Sequence, residues 1–414
     1  MIEMKRYSEY KYSGIKWIGD IPNHWTVRRT RYLCDICTGD KDTVMRDDNG
    51  IYPFYVRSPK VERINTYSYD GEAILMAGDG AGAGKVFHYV NGKFDYHQRV
   101  YNLHNIKDVV GKFLFYFIRD KFHFAMEENN AKNTVDSVRL PWLKAFPIPL
   151  PPISEQKSIV SYLDSKVLKI DEYIAATEKK IAALDELKQT IIADAVTHGI
   201  NPNVKMKDSG IRWIGCVPEH WSMRTLSQLS RIYFRTNKTT HNQNLLSLSY
   251  GKIINKDINK AEGLLPASFD TYQIIKKGNI VLRLTDLQND HKSLRVAIST
   301  QEGIITSAYL AIEAFNDVNA QYLYYILHSF DIKKVFYGMG NGLRQNLNWA
   351  ELRKLLCIIP PLAEQQTIVA YIDKKVTEID RLKEANQLQI DRLREYKQRL
   401  ISDVVTGKVK VTNH

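Results

Sequence analysis

Two stretches of the chain carry apolar side chains at alternating steps of three and four residues. From Ser154 to Thr197 no Gly or Pro interrupts the sequence, and Leu163, Val167, Ile170, Ile174, Ile181, Leu184, Ile191 and Ala195 fall on one seam, with Thr177 and Lys188 at its polar positions. The second stretch repeats the seam with Ile372, Val376, Ile379, Ile390, Leu393, Leu400 and Val404, and with Lys383, Asn386 and Lys397 at polar positions. This spacing predicts long amphipathic helices of coiled-coil type. Pro151-Pro152 and Pro360-Pro361 mark the starts, Gly199 and Gly407 the stops. A helix of about 44 residues spans roughly 65 Å, and alone it leaves its apolar stripe in water. The pattern therefore predicts that the two tails pack against each other as an antiparallel pair. A coiled coil that merely dimerises the chain is the plainer reading of the same seam.

The segments before each tail alternate differently. Gly71 to Met76 and Lys85 to Val90 read as strands, Asn91-Gly92 as a hairpin turn into Lys93 to Tyr96, and Gly111 to Glu128 as a helix with an aromatic face. Later, Asn279 to Leu284 and Ser293 to Ser299 read as strands and Ala320 to Tyr337 as a helix. Both segments predict α/β modules.

These parallels belong to an internal repeat. Ser13-Gly14-Ile15-Lys16-Trp17-Ile18-Gly19 recurs as Ser209-Gly210-Ile211-Arg212-Trp213-Ile214-Gly215, and Pro22-Asn23-His24-Trp25 as Pro218-Glu219-His220-Trp221, at an offset of 196. Pro151-Pro152-Ile153-Ser154-Glu155-Gln156 recurs as Pro360-Pro361-Leu362-Ala363-Glu364-Gln365 at 209, as does Asp194-Ala195-Val196-Thr197 as Asp403-Val404-Val405-Thr406. The halves share their ends and differ in the middle, so each is one globular unit followed by one helical tail. The expected boundaries are 1–150, 151–200, 201–359 and 360–414.

Composition adds a partner. The 414 residues are 44% hydrophobic and 25% charged, as in ordinary globular domains. Four cysteines do not make a disulfide scaffold, no apolar run is long enough for a membrane span, and no signal peptide opens the chain. A cytoplasmic protein with no membrane association is expected. The net charge of +12 divides as +4 over 1–150, −1 over 151–208, +7 over 209–359 and +2 over 360–414. Nearly all of the surplus sits in the globular units, the footprint of a protein that touches a phosphate backbone at two places.

A search for catalytic chemistry finds little. In Ala77-Gly78-Asp79-Gly80-Ala81-Gly82-Ala83-Gly84-Lys85 the glycine required for a phosphate loop is Asp79, and Val86 stands where Ser or Thr is needed. A strand rather than a helix follows, which also removes a dinucleotide fingerprint. The segment reads as a flexible loop able to approach a groove or phosphates closely. Cys34 and Cys37 lack a second ligand pair for zinc, and His24 and His220, repeated beside Trp25 and Trp221, read as packing or turn residues. Neither Pro-Pro pair carries the preceding Asn or Asp of an amino-methyltransferase motif. No catalytic residue, metal site or bound cofactor is expected.

The doubled Trp-Ile-Gly…Pro-x-His-Trp openings, the Pro-Pro-x-x-Glu-Gln-x-x-Ile-Val helix starts and the Asp-x-Val-Thr helix ends resemble the specificity subunit of type I restriction–modification systems, over essentially the whole chain. The resemblance implies two target recognition domains, each reading half of a split double-stranded DNA site. They would be separated by an antiparallel pair of long coiled-coil helices that dock two methyltransferase subunits, with restriction subunits joining the assembly. S-adenosylmethionine, ATP and Mg would then be used by those partners and not by this chain. The candidate DNA contacts in the first head are Arg57, Ser58, Lys60, Gly80, Gly82, Lys85, Gln98, Arg99, Asn130, Lys132 and Asn133. In the second they are Asn237, Lys238, Arg283, Asn289, Lys292, Asn341, Arg344, Gln345 and Asn346. Each lies in a polar, loop-like stretch where side chains can meet groove edges or phosphates. The alternative is a non-catalytic coiled-coil adaptor whose basic heads bind nucleic acid without regard to sequence.

Overall fold

The computed structural model describes residues 5–129, 137–257, 268–287, 293–339 and 346–411. The chain divides into two units, one of residues 1–178 with 388–414, the other of residues 179–387. The tails are helical as expected, over Ile153–His198 and Leu362–Val405. Gly199 and Gly407 stop them in the left-handed conformation, at φ 77° and 73°.

In the first unit the head is a six-stranded sheet. Its order is Asp35–Thr38, Val100–His104, Tyr69–Ala77, Phe87–Tyr96, Tyr52–Tyr55, Val61–Ile64, antiparallel except where Tyr52–Tyr55 meets Phe87–Tyr96. The aromatic helix, Gly111–Asn129, buries Phe113, Phe117 and Phe122 completely. Trp17 of the repeated opening stacks on Phe124 and Phe146, with ring centroids at 5.2 and 5.4 Å. Within this unit the beginning of the first long helix and the end of the second run antiparallel. Lys397 binds Asp171 at 2.6 Å, and Arg394 binds Glu178 at 2.9 Å. Gln398 donates to Asp120 of the head helix at 2.9 Å.

The second unit keeps the same sheet core with fewer strands: Ser230–Ile232, Leu310–Ala314, Ile280–Leu282, Val296–Ile298. A hairpin of Leu246–Ser249 and Lys252–Asn255 and a pair of Gln273–Ile275 with Gly303–Ile305 flank it. Here the end of the first long helix and the beginning of the second run antiparallel, with Lys188 bound to Asp380 at 2.8 Å and Lys383 bound to Asp185. Lys188–Asp380 and Lys397–Asp171 occupy matching places 209 residues apart. The three seam lysines are thus each held by an aspartate of the partner helix, whereas Thr177 and Asn386 bond to the carbonyls of Tyr173 and Leu382 in their own helices.

Three expectations need correction. Asn91-Gly92 is no turn: Phe87–Tyr96 is one continuous strand whose Gly92 faces Gly71 in register. The pairing of two side-chain-free positions overrides the local turn preference. The hairpin connection is instead the glycine segment, which is no loose loop. It closes on itself as a short helical turn over Gly80–Gly82, with Ala83 N donating to Gly80 O and Gly84 N to Ala77 O, both at 3.0 Å. The helix expected over Ala320 to Tyr337 ends at Ile332, because Lys334 adopts a left-handed conformation with φ 59° before a short turn over Val335–Gly338.

Candidate nucleic-acid interface

The repeated motifs build the same socket in each unit. In the first, Glu155 at the start of the long helix lies 2.8 Å from His24 Nε2 and accepts from the Trp25 indole N–H at 3.1 Å. Gln156 accepts from Val110 N–H at 2.7 Å and donates to Pro151 O at 2.8 Å. In the second, Glu364 meets His220 and Trp221 at 2.8 and 3.1 Å, while Gln365 accepts from Asn319 N–H at 2.8 Å and donates to Pro360 O at 2.9 Å. Arg28–Asp108 and Arg224–Asp317 add a matching ion pair beside each socket. Trp25 and Trp221 are fully buried, so an indole N–H at either place needs an acceptor and the glutamate supplies it. The histidines hold the head to the helix, in keeping with the packing role read for them.

Away from the sockets the heads differ. In the first, five of the predicted residues gather at one end of the sheet. Arg57 follows Tyr52–Tyr55, Gly80 and Gly82 form the helical turn, and Gln98 and Arg99 make the turn between Phe87–Tyr96 and Val100–His104. Asp79 stands between the two arginines, 3.1 Å from Arg57 Nη1 and 3.2 Å from Arg99 Nη1. Gln98 donates to Asp42 at 3.0 Å. Beneath them His97 is 3% exposed; its Nδ1 accepts from Arg99 N–H at 2.9 Å, which leaves the proton on Nε2, facing Asp42 at 3.9 Å. Burial, followed by the Arg57 charge, pushes the His97 pKa down, so the ring is neutral at physiological pH. Lys85 is exposed just beyond the turn. Ser58 and Lys60 lie further along, Ser58 donating to Lys60 O at 3.2 Å and Lys60 pairing with Glu62 at 3.2 Å.

In the second head the equivalent corner lies at the end of Ile280–Leu282. Arg283 is half-buried there, and Asn346 accepts from Asp286 N–H at 2.8 Å. Sequence reasoning missed the residue that organises this corner. Arg295 is completely buried and donates to the carbonyls of Arg283, Thr285 and Asp286 at 3.3, 2.8 and 3.1 Å, and to the Tyr337 hydroxyl at 3.1 Å. Its backbone N–H donates to Asp331, whose pKa burial raises to about 6. Asn237 proves to be internal: it is 2% exposed, accepts from Asn242 N–H at 2.8 Å and donates to Asn242 O at 3.2 Å. Its polar groups are used to shape a loop, so it is not presented at the surface, whereas Lys238 beside it is exposed. Phe234 is 64% exposed next to exposed Arg235, a pair that sequence reasoning passed over. Asn130, Lys132, Asn133, Asn289, Lys292, Asn341, Arg344 and Gln345 lie outside the described residues.

Residues 22–185 and 218–391 each match the Type I restriction modification DNA specificity domain. The chain belongs to that family. Its specificity-subunit relatives include the Type I restriction enzyme EcoDI specificity subunit of Escherichia coli, 21% identical over 94% of this chain and 90% of that one. The Type I restriction enzyme MjaVIII specificity subunit of Methanocaldococcus jannaschii is 24% identical over 100% of this chain and 99% of its own. A solved chain from work on complex assembly and conformational transition of the type I R-M system superposes with a TM-score of 0.65 at 15% identity, covering 93% of this chain and 98% of that chain. Specificity subunits of this kind bind DNA, are non-catalytic, and work in complexes with modification and restriction subunits. Among the described residues no group of three or more His, Cys, Asp or Glu side chains is placed to hold a metal, and no helix is long and apolar enough to cross a membrane.

Proposed function

We propose that this specificity subunit reads an asymmetric, split DNA site, one half with each head. The observation that carries this reading is the contrast between the two sockets, which share their His, Trp and Gln bonds, and the two corners, which share position but not chemistry. Heads held alike and lined differently read unlike sequences. The first head would use Arg57, Gln98, Arg99, Lys85 and the glycine turn; the second Arg283, Lys238 and Asn346, joined by the candidates outside the described residues. Boundaries of 1–150 and 201–359 for the heads, with 151–200 and 360–414 as the spacing helices, suit this division.

The long helices also offer a reason for two methyltransferase subunits. In the first unit Tyr173 and Tyr396 are 50% and 46% exposed; their counterparts in the second, Leu382 and Leu187, are 51% and 48% exposed. One apolar pair per unit, at matching helix positions, suits two copies of one partner. S-adenosylmethionine, ATP and Mg belong to the chemistry of those partners, and the complex acts on double-stranded DNA in the cytoplasm. The deciding measurement is methylome sequencing of the host with and without this gene, repeated after exchanging residues 30–139 for those of another family member. Loss of methylation at one split motif, and a change in only one half of that motif after the exchange, is expected. No motif, or changes in both halves, favours a sequence-independent adaptor.

A further inference from the structure

Asp79 is an acid set between two arginines of the corner proposed to meet DNA, where a carboxylate repels phosphates. It is also held there deliberately. Gly78 N donates to Arg99 O and Val138 N donates to Gly78 O, each at 2.8 Å, which fixes the backbone beside it. A Cβ on Gly82 would come within 2.3 Å of Arg57 O, so only glycine lets the turn lie close enough for Asp79 to reach both arginines. The carboxylate spends one oxygen on each. It takes Nη1 of Arg57 and Nη1 of Arg99, leaving the Nε–Nη2 edge of each guanidinium, the edge with two parallel N–H groups, directed elsewhere. That edge matches the O6 and N7 acceptors of guanine. The arginine side chains remain 46% and 62% exposed while Asp79 is 21% exposed, so the acid lies behind and the forks lie forward.

We propose that Asp79 is a specificity-determining positioning residue: it pins Arg57 and Arg99 side by side so that their free edges read bases in one half of the target. Without it two like charges at this spacing repel, each side chain samples its rotamers, and both become general phosphate binders. This inference rests on the reading that the corner meets DNA. The test uses the full-length chain assembled with its methyltransferase subunits. Binding is measured over a range of salt to a duplex carrying the methylated motif and to one altered in the first head's half-site. Asp79→Asn should weaken cognate binding about tenfold and leave binding to the altered duplex equal or tighter, so that discrimination collapses while the thermal unfolding temperature holds. Arg99→Lys, which keeps the charge and the contact to Asp79 but lacks the fork, should lose discrimination with an unchanged salt slope. It carries the comparison if Asp79→Asn does not fold. Equal weakening on both duplexes, or retained discrimination, overturns the role given to Asp79. If Arg57→Ala with Arg99→Ala leaves cognate binding unchanged, the corner does not touch DNA and the reading beneath the inference fails instead.

Discussion

Gly199 and Gly407 end the two long helices in the same left-handed conformation, yet they sit in different surroundings. A Cβ on either costs about 1–2 kcal/mol for that conformation alone, partly offset by about 0.4–1 kcal/mol from a less flexible unfolded chain. At Gly199 the new methyl group would meet Trp221 Cζ2 at 3.2 Å and Glu364 at 3.8 Å, contacts that a small adjustment absorbs. At Gly407 it would lie 2.4 and 2.6 Å from Pro22 Cδ and Cγ and 3.1 Å from the Trp25 ring. Pro22 is buried and tied to its own backbone, so the head must shift, and overpacking of this kind costs about 1–3 kcal/mol more. Gly407→Ala is therefore expected to destabilise its unit by roughly 1–4.5 kcal/mol and Gly199→Ala by roughly 0–1.5 kcal/mol. Urea unfolding followed by hydrogen exchange, which assigns the loss to one unit, measures both. If Gly199→Ala costs as much as Gly407→Ala, crowding at Pro22 is not what limits the position.

Two further outcomes follow from buried polar groups in the second unit. His328 is 5% exposed and burial lowers its pKa to about 4. The folded protein then binds fewer protons than the unfolded chain between pH 4 and about 6.5, so this group's stabilising contribution is full above that window and falls with the pH through it. Asp331, raised to about 6, does the reverse: the folded form holds the extra proton, and stability drops as pH rises from about 4 to 6. His328→Gln removes the first effect, worth about 3 kcal/mol at the acid end. The variant should gain stability relative to the parent between pH 7 and pH 4.5 in denaturant titrations, and an unchanged difference would refute the assignment. Arg295→Met leaves the carbonyls of Arg283, Thr285 and Asp286 without their buried donor. A loss of about 3–5 kcal/mol, with faster proteolysis beside Asp286, is the expected result.

The long helices were legible because heptad spacing is a local signal and nothing else occupied those positions. The sockets were half legible. Repetition of His-Trp and Glu-Gln showed that they mattered, but only the folded chain puts Trp25 against Glu155, 130 residues away. The corner of the first head was legible residue by residue and not as a set: Arg57, Asp79 and Arg99 lie about 20 residues apart in turn and meet only because three strand ends converge. Arg295 was hidden for the opposite reason. A lone charged residue at the start of an apolar strand, Ser293 to Ser299, gives no sign of which way it faces, and its burial depends on three carbonyls that no spacing rule connects to it. Asn91-Gly92 misled because a strong local preference gave way to strand register, and Asn237 because a polar residue in a loop can serve the loop itself.

Each socket takes side chains from the head only near one margin, His24 and Trp25 in the first, and a backbone N–H from within it, that of Val110. The opening motif (13–25 and 209–221) and the helix start (151–156 and 360–365) recur in the two halves, so the gene contains matched stretches of coding sequence on both sides of each variable stretch. Genetic crossover within those stretches exchanges the variable stretch while keeping His24, Trp25, Glu155 and Gln156 and the bonds among them. On the proposed reading of the heads, a new DNA target then arises in a single event.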